Sequence, residues 1–345
     1  MMDLSFMPVT LEFKRPFKIA AGTRSTTPVV FTNITFHGLV GYGEASMPPY
    51  LGEDHQTVMS FLNKAKKVIA HHKDPFDIEG ILLEVDQIGN GNTAAKASVD
   101  IALHDLVGKI VGKPWHALWN LDKTKTPYTT YTIGIDDADV IRQKVEEGAS
   151  YKILKVKLDG VNDKEIISTI RSVTGKPIAV DVNQGWNDKE VALEMLHWLK
   201  ERNVLFVEQP MPKGDVESMR WLTAHSPLPT IADESCQRLV DVEKMKGVFH
   251  GINIKLMKCT GMLEAYKMIT LARKNNLKVL IGCMSETSCA VSAAAQLTPL
   301  ADWADIDGPL LIKQDYFEGV RFEEGKIVLS ESAGIGVKRR EALFK

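Results

Sequence analysis

Six charged residues recur through the middle of the chain at nearly even intervals: Lys155 and Lys157, then Asp181, Glu208, Asp233 and Lys255. From Lys157 onward the steps are 24, 27, 25 and 22 residues. Each charge closes a short apolar run: Ile153-Leu154-Lys155-Val156-Lys157, Ile178-Ala179-Val180-Asp181, Leu205-Phe206-Val207-Glu208, Thr230-Ile231-Ala232-Asp233 and Ile252-Asn253-Ile254-Lys255. Such runs read as β-strands, and a step of this length as one strand–helix unit. The charges therefore stand at one height on consecutive strands. Three carboxylates meeting at one point repel each other or take up protons unless a cation lies between them. A single acid in such a place is more often a salt-bridge partner. Three in register, Asp181, Glu208 and Asp233, point to a metal site, and hard oxygen ligands suit Mg²⁺.

The lysines add a second kind of chemistry. Residues 155 and 157 of a strand project to the same side. At roughly 6 Å and an effective dielectric of about 20, two ammonium groups repel by about 2.8 kcal/mol, or about two pKa units. One of them is then expected to lose its proton near neutral pH and serve as a base. Two solvated lysines at a strand end are the competing reading of that stretch. On an eight-stranded barrel the second and sixth strands face each other, so Lys157 and Lys255 would approach a central carbon from opposite sides. One could remove a proton and the other return one, inverting that carbon. A proton α to a carboxylate suits such a site, because the dianionic enediolate it leaves would be stabilised by Mg²⁺ and Lys155.

The elements that must position these groups are legible in outline. After about residue 125, strands are predicted at 127–133, 151–158, 177–182, 204–208, 228–233, 251–256, 277–282 and 303–306. Helices fall between them at 138–148, 163–173, 188–202, 215–225, 239–246, 261–275 and 286–297. Alternating strands and helices imply parallel βαβ units, and eight strands in some two hundred residues suit a closed (β/α) barrel. No glycine-rich phosphate turn follows the first strand, as a doubly wound sheet would want. Residues 1–60 read as β-rich, with strands at 10–18 and 29–36, a polar loop at 20–27 and a second loop at 47–52 too rich in proline for regular structure. Helices are predicted at 57–71 and 92–110. The alternating segment 320–329 is expected to return to the first domain.

Composition excludes several classes. The 345 residues are 44% hydrophobic and 25% charged with a net charge of −2, an ordinary globular balance with no basic field for nucleic acid or an anionic membrane. Cys236, Cys259, Cys283 and Cys289 lack disulfide or CxxC spacing. No apolar run reaches membrane-spanning length, and the N-terminus lacks a signal-peptide pattern. A cytoplasmic protein, free of nucleic-acid and membrane partners, is the expectation, with a homo-oligomer left open.

Together the motifs Lys155-Val156-Lys157, Asp181-Val182-Asn183-Gln184-Gly185-Trp186, Glu208-Gln209-Pro210, Ala232-Asp233-Glu234-Ser235 and Asn253-Ile254-Lys255-Leu256-Met257-Lys258 resemble the enolase superfamily, in its muconate-lactonizing-enzyme subgroup. A lysine base with Mg²⁺ stabilising an enediolate is a known property of that superfamily, not a deduction from these residues. The resemblance implies an α/β fold: a modified (β/α)₇β TIM-like barrel over 125–315 beneath an α+β capping domain over 1–124, completed by 316–345. It further implies one Mg²⁺ per subunit on Asp181, Glu208 and Asp233, with Lys157 and Lys255 catalytic.

Within the subgroup, Asp305-Ile306-Asp307 is similar to the Asp-x-Asp of dipeptide epimerases, where it pairs with the substrate ammonium. Gly282-Cys283-Met284-Ser285-Glu286-Thr287 resembles their substrate-holding backbone loop, and Thr132 a substrate-contacting threonine. Glu234 and Lys258 are read as neighbouring charges. Side-chain preference is assigned to the loops near 20–27 and 47–55. Arg24 could meet the distal carboxylate of a dipeptide ending in Glu. It sits two places later, counted from Pro16-Phe17-Lys18, than in Glu-selecting members, which implies a small or hydrophobic second residue. The implied reaction is Mg²⁺-dependent epimerisation of L-Ala-D/L-Xaa. Strict L-Ala-D/L-Glu epimerisation and o-succinylbenzoate-synthase or cycloisomerase chemistry are the alternatives.

Overall fold

The computed structural model describes residues 1–19 and 22–344. The chain opens with a three-stranded antiparallel sheet: β1 (Asp3–Ile19), β2 (Gly22–Phe36) and β3 (Leu39–Ser46). Three helices follow, α1 (His55–His71), α2 (Ile78–Gln87) and α3 (Thr93–Val111); the period of two along β2 turns Val30, Thr32 and Ile34 to one buried face, where Thr32 Oγ1 donates to Ser98 Oγ of α3 at 2.9 Å. Asp54 starts α1 by a reciprocal capping box with Thr57. Helix α2 and the short α4 (Trp115–Leu118) are absent from the sequence-based expectations.

Two of the expected loops are structured. Residues 22–27 belong to β2, extending the hairpin through the pairs Phe17↔Arg24 and Lys18↔Thr23, while Ala20 and Ala21 lie outside the described residues. Pairing here is permitted because the strand ladder needs only backbone groups, whatever the polarity of the side chains. The proline-rich stretch forms a 3₁₀ turn at Pro49–Leu51, with Pro at its first position, where no N–H is required, and Gly52 at φ 70° ending it.

Eight parallel strands follow: β4 (Thr130–Ile133), β5 (Ile153–Lys157), β6 (Ile178–Asp181), β7 (Val204–Glu208), β8 (Thr230–Ala232), β9 (Gly251–Lys255), β10 (Lys278–Gly282) and β11 (Trp303–Asp305). They are hydrogen-bonded in sequence order, and a parallel bridge from Thr129 to Ala304 joins the first to the last. The intervening helices are α5 (Ala138–Glu147), α6 (Asp163–Val173), α7 (Lys189–Lys200), α8 (Val216–His225), α9 (Leu239–Val242), α10 (Met262–Lys274) and α11 (Ser288–Ala295). The helix expected over 239–246 is shorter: α9 yields to a 3₁₀ turn at Glu243–Met245.

After the barrel come α12 (Gly308–Leu311) and four short strands, β12 (Phe317–Glu318), β13 (Arg321–Glu323), β14 (Lys326–Val328) and β15 (Lys338–Arg339). The alternating segment 320–329 forms the β13–β14 hairpin, which bridges to Tyr128 at the foot of the barrel. The aromatic rings of Tyr316, Phe317 and Phe344 pack instead on Phe31 of the N-terminal sheet. Among the described residues no helix is long and apolar enough to cross a membrane.

The period of two inside the barrel decides what the mouth contains. Ala179, Phe206, Ile231 and Leu280 form a small buried cluster of their own. Two residues further along the same strands stand Asp181, Glu208, Asp233 and Gly282, so the apolar layer becomes the floor under a charged one.

Candidate active site

Register places the charges side by side. Lys157 pairs with Asp181 and Asp181 with Glu208, while Lys255 pairs with Gly282 and Gly282 with Asp305. Asp233 follows directly on β8, whose Ile231, two residues before it, pairs with Glu208. Lys157 and Lys255 thus occupy the second and sixth of eight strands, on opposite sides of the ring.

Ligand-type oxygens of Asp181, Glu208 and Asp233 all lie within 4.8 Å of one another, and all three residues are buried. Lys157 Nζ is 2.5 Å from Asp181 Oδ2, and Lys255 Nζ is 2.7 Å from Asp233 Oδ2. Between them Lys155 Nζ reaches Asp305 Oδ2 at 2.5 Å, Glu208 Oε2 at 2.7 Å and Asp181 Oδ2 at 3.2 Å. The Glu208 contact lacks hydrogen-bond alignment, so that buried oxygen keeps a lone pair uncommitted. Asn253 Nδ2 donates to its other oxygen at 2.7 Å. That amide fits because residue 282 is glycine, whose Cβ would lie 2.5 Å from Asn253 Oδ1. A buried, clustered, all-carboxylate donor set with an oxygen to spare fits a hard divalent cation such as Mg²⁺.

Lys155 does not show the fall in pKa expected of one lysine of the pair. Burial does work against the charge of Lys155, but Asp305, Glu208 and Asp181 outweigh it and hold the group well above its ordinary value. Lys255 is likewise raised: burial opposes its charge, and Asp233 restores it. The repulsion of the neighbouring lysine is outweighed by acids on other strands, which only the register and barrel closure bring close. Those acids respond unequally. Asp233 is held well below the usual carboxylate range because Lys255 and Lys258 overcome its burial, whereas burial and Asp181 push Glu208 up to about 7.

A cavity of about 170 Å³ opens above this layer. Its wall includes Arg24, Thr132, Lys155, Lys157, Asp233, Lys255, Cys283, Met284, Ser285, Asp305 and Asp307, while Asp181 and Glu208 are fully buried beneath. Asp305 is already engaged, since Thr130 Oγ1 donates to it at 2.5 Å in addition to Lys155. Among the described residues Asp307 accepts only from Thr132, at 2.7 Å from the amide and 3.1 Å from the hydroxyl. With no cation bonded to it, its burial and nearby Asp305 push it up to about 7.

Arg24 also projects into this cavity. The β1–β2 register shifts between Glu12↔Thr26 and Phe17↔Arg24, so residues 13–16 stand opposite Ser25 alone. The bulge precedes Phe17, and from Phe17 to the turn the ladder is regular, so it leaves the spacing between Pro16-Phe17-Lys18 and Arg24 as counted. Its Nη1 is buried and hydrogen-bonds to nothing among the described residues, and burial lowers its pKa.

Sequence reasoning missed three contributors. Tyr50, on the 3₁₀ turn, lines the cavity and its hydroxyl lies 3.2 Å from Met284 Sδ. Asn253 carries no assigned role in the motif Asn253-Ile254-Lys255, although its alternation with Lys255 signals an inward side chain. Lys258, read as a neighbouring charge, is buried and donates to Asp233 Oδ1 at 2.6 Å and to the carbonyls of Asp233, Asn253 and Cys236.

Comparison with known proteins agrees with this geometry. Residues 1–119 match the N-terminal domain of the mandelate racemase/muconate lactonizing enzyme family, and 136–343 match the enolase C-terminal domain-like family. The chain is 56% identical to an L-Ala-D/L-Glu epimerase of Bacteroides thetaiotaomicron, across 98% of this chain and 88% of that protein. It is 36% identical to an L-Ala-D/L-amino acid epimerase of Pedosphaera parvula, across 98% and 100% of the two. A dipeptide epimerase of Enterococcus faecalis, solved with Mg and L-Leu-L-Tyr, superposes with a TM-score of 0.92 at 30% identity, covering 98% of this chain and 99% of that one. The chain belongs to the mandelate racemase/muconate lactonizing enzyme family of the enolase superfamily.

Proposed function

We propose that the protein is a Mg²⁺-dependent dipeptide epimerase that inverts the Cα of the second residue of L-Ala-D/L-Xaa. The observation that carries this reading is the opposition of Lys157 and Lys255 across one cavity, each bonded to a carboxylate at an end of the Asp181–Glu208–Asp233 cluster. Held by those three carboxylates, Mg²⁺ would offset the negative charge that builds on the substrate carboxylate as the Cα proton leaves.

The chain's own groups supply the rest. Lys157 takes or returns the proton on one face of Cα and Lys255 on the other. Lys155, charged and fixed among acids, faces the substrate carboxylate. Asp307 receives the substrate ammonium, for which Thr132 holds it in place. The loop Cys283-Met284-Ser285 lies along the dipeptide backbone. Four free cysteines accord with a cytoplasmic setting.

Small and hydrophobic residues at Xaa fit the apolar lining from Pro48, Tyr50 and Leu311. A second reading, Glu at Xaa, is favoured by the uncommitted Arg24 Nη1 and by the L-Ala-D/L-Glu epimerase that shares 56% of its residues. Both are tested by incubating a panel of L-Ala-L-Xaa dipeptides with enzyme and Mg²⁺ in deuterated water. Deuterium at the second Cα together with the epimer is expected; exchange with no member of the panel overturns the activity. Arg24→Met should lower kcat/KM for L-Ala-L-Glu by about tenfold to a hundredfold while sparing apolar dipeptides, if Glu is the substrate.

A further inference from the structure

One fully buried carboxylate of the cap takes no part in the chemistry above. Glu44 lies on β3, is fully buried, and crosses the seam to the barrel. It accepts from the amide of Thr287 at 3.0 Å, the hydroxyl of Thr287, and the amide of Ala290 at 3.2 Å. These donors form the first turn of α11, where unpaired N–H groups and the helix dipole favour a negative charge. The residues just before that turn, 283–286, line or border the active cavity.

Neighbouring cap residues hold the same loop. Ser46 Oγ donates to the Ser285 carbonyl at 3.1 Å, and the Tyr50 hydroxyl contacts Met284. Within the loop, the Cys283 amide donates to the Asp305 carbonyl and the Met284 amide to Glu286 Oε1. The amides of Ser285 and Glu286 are left without an acceptor among the described residues. A loop that must present free amides to a ligand cannot stabilise itself through them. Its shape has to be imposed from its ends, and on the α11 side Glu44 imposes it.

We propose that Glu44 is a positioning residue: by clamping the first turn of α11, it holds the 283–286 backbone in the conformation that receives the substrate. Glu44 touches no substrate and no metal ligand, so its effect passes through the loop. The inference rests on the dipeptide epimerase reading only for the choice of substrate.

The test compares wild type, Glu44→Gln and Ser46→Ala, each with Mg²⁺. Gln keeps the shape and one acceptor but turns a donor toward donors. KM for the dipeptide is expected to rise about tenfold in Glu44→Gln and by less in Ser46→Ala, with kcat within about threefold. Mg²⁺ affinity by calorimetry should stay unchanged, and amide exchange should quicken in the peptide spanning 283–290 and not elsewhere. Unchanged KM with faster exchange, or equal losses of kcat and metal affinity, would overturn the proposal. If Glu44→Gln does not fold, Ser46→Ala decides by the same KM and exchange readouts. If wild type turns over no dipeptide, the functional reading has failed, and local amide exchange still reports whether Glu44 holds the loop.

Discussion

Two sets of carboxylates are equally buried in this protein and behave oppositely. At the barrel mouth, Asp181 and Asp233 are each bonded to two lysines and are held below the usual range despite their burial. At the seam between cap and barrel, Glu44 and Glu286 meet only neutral donors, and burial pushes them up to about 7 and about 8. Neutral hydrogen bonds satisfy lone pairs but compensate little of the cost of a buried charge, whereas an ammonium does both. Asp181 and Asp233 are thus kept as ions in a dry place, while the seam keeps geometry.

The largest effect expected from breaking this contrast is at the two opposed lysines. Lys157→Ala and Lys255→Ala should each reduce epimerisation by about 10³-fold or more while Mg²⁺ still binds. Each variant should still exchange deuterium with the single epimer whose Cα–H faces the remaining lysine. A variant that inverts at the normal rate without Lys255 contradicts the two-base scheme.

A smaller effect separates the two fully buried lysines. Removing either leaves uncompensated buried groups, so Lys155→Met and Lys258→Met should each cost about 3–5 kcal/mol of unfolding free energy in metal-free urea titrations. Saturating Mg²⁺ should return most of the loss for Lys155→Met, because its orphaned partners include two of the three carboxylates. It should return less for Lys258→Met, whose three carbonyl partners lose a donor that Mg²⁺ does not replace. Equal responses to Mg²⁺ would show that the two lysines are interchangeable.

The smallest effect is a pH slope from the seam. A carboxyl raised in the folded state binds its proton more tightly there than when unfolded. The stability it adds is fully present below about pH 4.5 and lost as pH climbs through about 8 for Glu286. The melting temperature of metal-free protein should therefore fall from pH 5 to 8, and Glu286→Gln should flatten part of that slope. The lowered acids of the mouth act in the other direction, and only at pH below their ordinary value of 3.8. An unchanged slope in Glu286→Gln would mean that this carboxyl is ionised in the folded protein.

Much of the barrel was legible because its signal is local. A charged residue two places after an apolar one, repeated every 22–27 residues, encodes both strand period and strand–helix length. Helix α2 was missed where its 10 residues bury only Ile81 and Val85, too few for a clear periodicity. The extension of the hairpin over residues 22–27 was not legible, because this polar stretch pairs through backbone groups that leave no mark on the side-chain pattern.

The residue types settled which chemistry was possible: three acids for a hard cation, two lysines for proton transfer, and an Asp pair for an ammonium. Their ionisation was not settled there. Whether Lys155 is depressed by Lys157 or raised by Asp305 depends on a strand 150 residues away, and whether Asp305 or Asp307 is free for a ligand depends on Thr130 and Thr132. Electrostatic energy follows distance through space, and the chain order of these groups says nothing of it until the barrel closes.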